Sequence, residues 1–223
     1  METVLISLLP YIIGSAVVPL QIIIGLLLLN SPNQGLFKAV AYVAGMTITR
    51  LLQGLIFGLV LSGSSTLTEN SGKNPIISTL LLVLGILLLI TAYKKWRRED
   101  DLDDSPPKGL TMIDRLTPLR AFGVGLPLIA AKLWVFTLSA LATIAAAQLG
   151  QLSSAIVYLL FILLAESLLL LPILARILIP ERSKYLLAEL SAWLTQNNRP
   201  ITIVVSLVFG LFFLHSGVTG FVS

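Results

Sequence analysis

The chain has 223 residues, of which 56% are hydrophobic and 12% charged. A soluble domain carries about 25% charged residues, so this composition, with its long apolar runs, excludes an ordinary soluble core and indicates a polytopic helical membrane protein. The runs do not alternate as the strands of a membrane β-barrel do, and the formal charge of +4 matters through its placement more than its sum. Cysteine is absent, which excludes disulfides, thiolate metal sites and dithiol redox relays.

The first run, Val4–Leu29, follows Met1-Glu2-Thr3 without a basic region, which favours a retained helix over a cleaved signal peptide. Pro10 and Pro19 lie inside it. Pro19 removes a backbone donor and clashes one turn back, so the helix is expected to kink or open there. Gly14, Ser15 and Ala16 precede it and Gln21 follows. Two readings stay open: a broken helix on a substrate path, or a simple proline kink packed by neighbours.

A turn at Asn30–Gly35 leads to the second run, Leu36–Leu61, with Arg50 near its middle. A guanidinium keeps its proton. At a helix centre it costs about 2.5–3.5 kcal/mol on insertion scales and about 10–17 in simulations, which makes it a functional-site hypothesis by default. Thr47, Gln53 and Gly54 share its helical face. Gly54 and Gly58 form a G-x-x-x-G pair, suited to close packing within the chain or to a homo-oligomer.

Ser62–Asn74 reads as a loop, and the third run is Pro75–Tyr93. The polar segment Lys94–Arg120 carries four basic residues and then Glu99, Asp100, Asp101, Asp103 and Asp104. Without EF-hand spacing this reads as solvated loop charge, and no metal site is expected. Leu110, Ile113, Leu116 and Leu119 fit a short interfacial helix.

The fourth run, Ala121–Leu149, has Gly123, Gly125 and Pro127 near its start, a second candidate helix break, and Lys132 a third of the way in. That lysine can snorkel to the interface or serve function. The fifth run, Ser153–Ile179, has Glu166 at its centre, the most economical partner for Arg50. Ser183–Gln196 places Leu186, Leu187, Leu190, Trp193 and Leu194 on one side, as in an amphipathic helix lying on the membrane. The last run is Ile201–Val222, with His215 about two-thirds across.

Six spans are therefore expected. One side receives Lys38, the basic residues of 94–120, Arg182, Lys184 and Arg199; the other receives Lys73. The positive-inside rule makes the first side cytoplasmic and both termini non-cytoplasmic. GSAVVPL from Gly14 pairs with GVGLPL from Gly123, and AYVAGMTITR ending at Arg50 pairs with VYLLFILLAE ending at Glu166. This suggests two inverted three-helix repeats, residues 1–93 and 121–223, joined by a cytoplasmic loop at 94–120, the plan of many secondary transporters.

These motifs carry a family resemblance. LNSPNQG at Leu29–Gly35, LTPLRAFGVGLPL at Leu116–Leu128, WLTQNNRPI at Trp193–Ile201 and VFGLFFLHSGVTG at Val208–Gly220 occur in order over nearly the whole chain. The chain resembles the GAP family of the LysE (lysine exporter) superfamily, also called the Sap or sulfolipid-addressing type. The resemblance implies a bacterial inner-membrane protein of six helices in two inverted repeats, in a superfamily that exports amino acids and ions and a family type associated with lipid or glycolipid export. Many superfamily members have Asn-Pro-Lys in the fourth span; Ala130-Ala131-Lys132 stands there, so the lysine alone carries over.

Two functions fit. The first is an exporter of a small polar or amphipathic solute, with Arg50 holding an anionic group and Glu166 or His215 taking a coupling proton. Gln21, Thr47, Gln53 and Lys132 complete this pathway, with Gly14, Pro19, Gly125 and Pro127 as hinges. The second is a non-transporting scaffold or accessory subunit of a membrane complex, in which the ion pair fixes helix register. No enzyme arrangement, cofactor motif or nucleic-acid partner is expected; the partners are the bilayer, a small or lipid-like substrate, and a homo-oligomeric or membrane-complex neighbour.

Overall fold

The computed structural model describes residues 2–63, 75–97, 116–128 and 134–222, and every regular element among them is helical. In chain order these are α1 (Glu2–Ala16), α2 (Pro19–Asn30), α3 (Gly35–Gly63), α4 (Pro75–Arg97), α5 (Pro118–Leu128), α6 (Trp134–Ala146), α7 (Gln151–Ala165), α8 (Ser167–Leu178), α9 (Pro180–Gln196) and α10 (Asn198–Val222). Lys132, the acidic cluster 99–104 and Leu110 and Ile113 of the expected interfacial helix lie outside the described residues.

Two helices, Gly35–Phe57 and Asn198–Gly220, are long and apolar enough to cross a membrane alone. Two bent pairs pass the same test together: α1 with α2, bent by 58°, and α7 with α8, bent by 65°. The chain is thus a membrane protein with up to four spans among the described residues. Leu159, Leu163, Leu174, Ile177, Leu207 and Leu211 stay exposed along these helices, as lipid-facing positions do.

The two bends have different causes. Val18 precedes a proline, which disfavours the helical region for it, and it is extended at φ −71°, ψ 112°. Pro19 then opens α2 at a position where its missing N–H costs no helical bond. The second bend falls on Glu166, at φ −100°, ψ 0° in the bridge region. No proline stands there; Pro172 lies inside α8 instead. The bend accompanies a tertiary contact of the Glu166 carboxylate.

Glycines set the closest crossings. A Cβ on Gly45 would collide with the Phe122 carbonyl and one on Gly125 with the Tyr42 carbonyl, so α3 and α5 touch backbone to backbone. Gly125, read from sequence as part of a break, is an interior residue of α5 at this crossing. Thr49 Oγ1 joins the same helices by donating to Leu126 O at 3.2 Å. The second tight pair is α4 with α10. A Cβ on Gly85 would lie 2.7 Å from Leu214 N, and one on Gly217 2.8 Å from Leu82 N. Arg199 closes the end of this antiparallel pair, donating to Lys95 O at 3.2 Å and Trp96 O at 3.3 Å. A cation there suits the negative end of α4.

Candidate functional site

Arg50 sits midway along α3 with no exposed surface. Its Nε lies 3.2 Å from Glu166 Oε1, which is itself at the α7–α8 bend. Its Nη2 donates to Ser15 Oγ at 2.7 Å, in the last turn of α1. Nη1 makes a longer contact of 3.4 Å with Thr137 Oγ1 of α6. The guanidinium carbon is 5.7 Å from the centroid of the Phe161 ring, within cation–π range. One side chain of an unbroken helix therefore ties together the two broken ones.

The placement is electrostatically favourable. α1 and α7 both end beside the guanidinium, and a helix C-terminus favours a cation. The Glu166 carboxylate neutralises the charge, and a buried pair of this kind keeps its cost down only when its remaining polar sites are hydrogen-bonded. Thr47 supplies one such bond: its hydroxyl lies 2.6 Å from Glu166 Oε2 and 2.9 Å from Val43 O. A hydroxyl has one proton and two acceptor sites. It can donate to an ionised Glu166, or accept from a protonated Glu166 while donating to Val43 O. The site is thus built to hold the carboxyl group in either state.

The first break is also capped. A helix end leaves carbonyls without intrahelical partners. Gln21 Nε2 donates to two of them, Ser15 O at 2.5 Å and Ala16 O at 3.1 Å. Tyr42 OH in turn donates to Gln21 O at 3.3 Å, which fastens α2 to α3. Gln21 Oε1 and Ser139 Oγ are buried without a hydrogen-bond partner among the described residues. Buried atoms of this kind are where ordered water or a ligand group is accommodated.

Tyr158 holds Arg50 from the backbone side. Its hydroxyl donates to Arg50 O at 2.5 Å. Gly54 makes room for it, since a Cβ there would collide with Tyr158 Cε1. This gives Gly54 an intramolecular role, as the seat of the Tyr158 ring.

Of the residues singled out from sequence, Arg50, Glu166, Thr47 and Gln21 meet around the two breaks. Gly14 and Pro19 flank the first; a Cβ on Gly14 would lie 2.6 Å from Phe136 Cε1, so it packs α1 on α6. Gln53 is half-buried, and its Oε1 has no partner among the described residues. His215 is exposed on α10, apart from the cluster. Pro127 lies in the last turn of α5. Sequence reasoning passed over Ser15, Thr137 and Tyr158 as members of the site. It also passed over the burial of Lys38, whose Nζ donates to Ser31 Oγ at 2.6 Å.

Fold and site together define a polytopic helical membrane protein with a buried ion pair bridging two bent pairs of apolar helices. The family model of Sap, sulfolipid-1-addressing protein, matches residues 8–219, and the chain belongs to that family. No curated protein and no solved structure matches it.

Proposed function

We propose that this protein is a membrane transporter that exports an anionic amphiphile, with Arg50 as the anion-binding group and Glu166 as the counter-ion that the cargo displaces. The observation that carries this reading is the position of the Arg50–Glu166 pair at two helix breaks. Discontinuous helices in secondary transporters bring half-helix N-termini to anionic groups near the midplane. The half-helices α2 and α8 start at these breaks, and Glu166 occupies the N-cap of α8. A sulfate, phosphate or carboxylate group taking the place of the Glu166 carboxylate would meet Arg50, the Thr47 hydroxyl and that helix end. Protonation of Glu166 would release the pair and couple export to a proton. The family's name speaks of a sulfolipid, an amphiphile with such a head group. The reading includes a six-span plan of two inverted repeats, an inner-membrane location with non-cytoplasmic termini, kinship with the LysE superfamily, and no chemical reaction of its own.

One observation favours a second reading. Arg50 is fully buried with every guanidinium nitrogen near a protein oxygen. A fully buried pair is what a non-transporting accessory subunit would use to fix the register of its spans.

Reconstituted vesicles loaded with fluorescent single-chain amphiphiles separate the two. Sulfate, phosphate and quaternary-ammonium head groups would be compared, with and without a pH gradient. Transport predicts efflux of the anionic probes alone, lost in folded Arg50→Gln and changed in its pH response in Glu166→Gln. No efflux of any probe from the folded parent protein, with stability lost in both single variants and regained in the charge swap, would give the accessory reading the lead.

A further inference from the structure

Helix α9 has two apolar faces that do different things. Ser183, Leu187, Ser191 and Leu194 are buried. Leu186, Leu190 and Trp193, spaced i, i+4, i+7 on an adjoining strip, are 59%, 41% and 53% exposed. Its charged residues are Glu181, Arg182, Lys184 and Glu189. This is the pattern of a helix lying in the plane of a membrane surface.

The occupant of the outer strip follows from what it is continuous with. α8 runs directly into α9, and Leu171, Leu174 and Leu178 are exposed along α8. α8 belongs to a bent pair apolar enough to cross the bilayer. Lipid covering α8 would end near the C-terminus of that helix, where α9 begins and brings the Leu186–Leu190–Trp193 strip. Tryptophan is enriched at the head-group boundary.

The inner face connects this surface to the ion-pair site. α9 packs against both α2 and α8, the two half-helices that leave the two breaks. These pack against each other and α3 around a small apolar cavity lined by Gly25, Leu26, Ala39, Val43, Leu169 and Ile173. The fit is close, since a Cβ on Gly25 would lie 2.7 Å from Leu169 Cδ2. The inner face of α9 alternates leucine with serine. Ser183 Oγ bonds back to Pro180 O at 3.1 Å, and Ser191 Oγ is buried without a partner among the described residues. Among the described residues no hydrogen bond runs from an α9 side chain to α2, and the two helices meet by packing.

We propose that α9 is a membrane-anchored lever. Its outer strip docks in the head-group boundary of the bilayer, and its inner face clamps α2 against α8, closing this side of the approach to Arg50. The docking and the clamp stand on packing alone; their purpose as a gate rests on the transport reading above.

The test uses the full chain in lipid nanodiscs, which leave both membrane faces accessible. Among its three tryptophans, Trp96→Phe and Trp134→Phe leave Trp193 as the single emitter. Lipids brominated near the head-group end of the acyl chain should quench it more than lipids brominated at the chain end. Absence of quenching by either lipid overturns the docking, as does protection of Trp193 by a second copy seen as a dimer in the disc. The chain has no cysteine, so Val43→Cys reports on the cavity without background. Its reaction with a membrane-impermeant maleimide should speed up about tenfold when Leu186→Ser and Leu190→Ser loosen α9, since local opening sets the labelling rate. An unchanged rate in a folded variant overturns the clamp. Leu190→Ala, milder in its effect on folding, decides the point where the double variant does not fold. Neither readout needs a transported solute, so failure of the lever and failure of the transport reading are separately visible.

Discussion

In the α4–α10 pair, Gly85, Gly210 and Gly217 bring two backbones into contact, and small residues replace side-chain interlocking. Around Arg50 the helices are broken, their ends face inward, and hydroxyl, amide, carboxylate and guanidinium groups fill the space between them. Both regions are embedded in the same apolar composition. Helices in lipid gain little from hydrophobic burial against one another, so they associate by close packing or by polar contacts. The α4–α10 pair takes the first route, with glycines at the contact and no ion pair across it among the described residues. The Arg50 core takes the second, which is costly if any partner is missing but can change state. The transport reading assigns function to the second region, the one whose regular structure has been given up.

The largest test of that contrast removes one charge. Glu166→Leu leaves a buried guanidinium without its counter-ion, and breaking a buried pair from one side costs about 3–5 kcal/mol. The double variant Arg50→Met/Glu166→Leu should recover more than half of that loss, because no charge remains to be compensated. Thermal unfolding in a fixed lipid–detergent mixture measures both. Additive losses would mean that the two side chains do not act as a pair. A step down is Gly85→Leu in the other region. Its Cβ would meet backbone, 2.7 Å from Leu214 N and 2.9 Å from Gly210 O, and overpacking of this kind costs about 1–3 kcal/mol. Because α4–α10 holds no exchanging group in this reading, folded Gly85→Leu should keep any anion efflux of the parent. Lost efflux would join the two regions functionally.

How much of this was legible beforehand depended on what each residue must satisfy. Arg50 and Glu166 stood out because a charge inside an apolar run demands a partner, and a shared depth made them the economical choice. The break before Pro19 was legible because proline constrains both itself and the residue before it. The bend at Glu166 was not, since Ala165-Glu166-Ser167 contains no local breaker and the carboxylate's partner lies on a helix far away in sequence. Hydroxyl residues were ambiguous for another reason. Thr91, Thr143 and Thr195 each bond the carbonyl one turn back in their own helix. Ser15 and Thr137 read the same way until the fold turns them onto Arg50. The G-x-x-x-G spacing was equally silent about what Gly54 accommodates, because a missing side chain does not specify whether a helix or a tyrosine ring fills the gap.

The middle-sized effect sharpens the account of the first break. Gln21→Leu keeps the volume but leaves the Ser15 and Ala16 carbonyls without their amide donor, at about 1–3 kcal/mol for buried groups that lose a partner. If the break is held by this cap, hydrogen exchange at the end of α1 and the start of α2 should rise well above that of α10. Uniform exchange would assign the break to Pro19 alone.

The last effect is the most informative about mechanism. Thr47→Val removes a hydroxyl that touches both Glu166 and Val43 O, and one hydrogen bond to a charged group is worth about 1.5–3 kcal/mol at most. Valine is close in size, so packing on α3 is kept. If Glu166 only fixes helix register, losing that hydroxyl weakens the protein slightly and does nothing else, and Thr47→Ser restores it. If Glu166 changes protonation during export, the hydroxyl is what lets the carboxyl be satisfied both as acceptor and as donor. Thr47→Val should then blunt the response of efflux to a pH gradient more than it lowers efflux without one, and Thr47→Ser should restore that response. A loss of stability with the gradient response intact would reduce Thr47 to a structural contact and leave Glu166 as a fixed counter-ion.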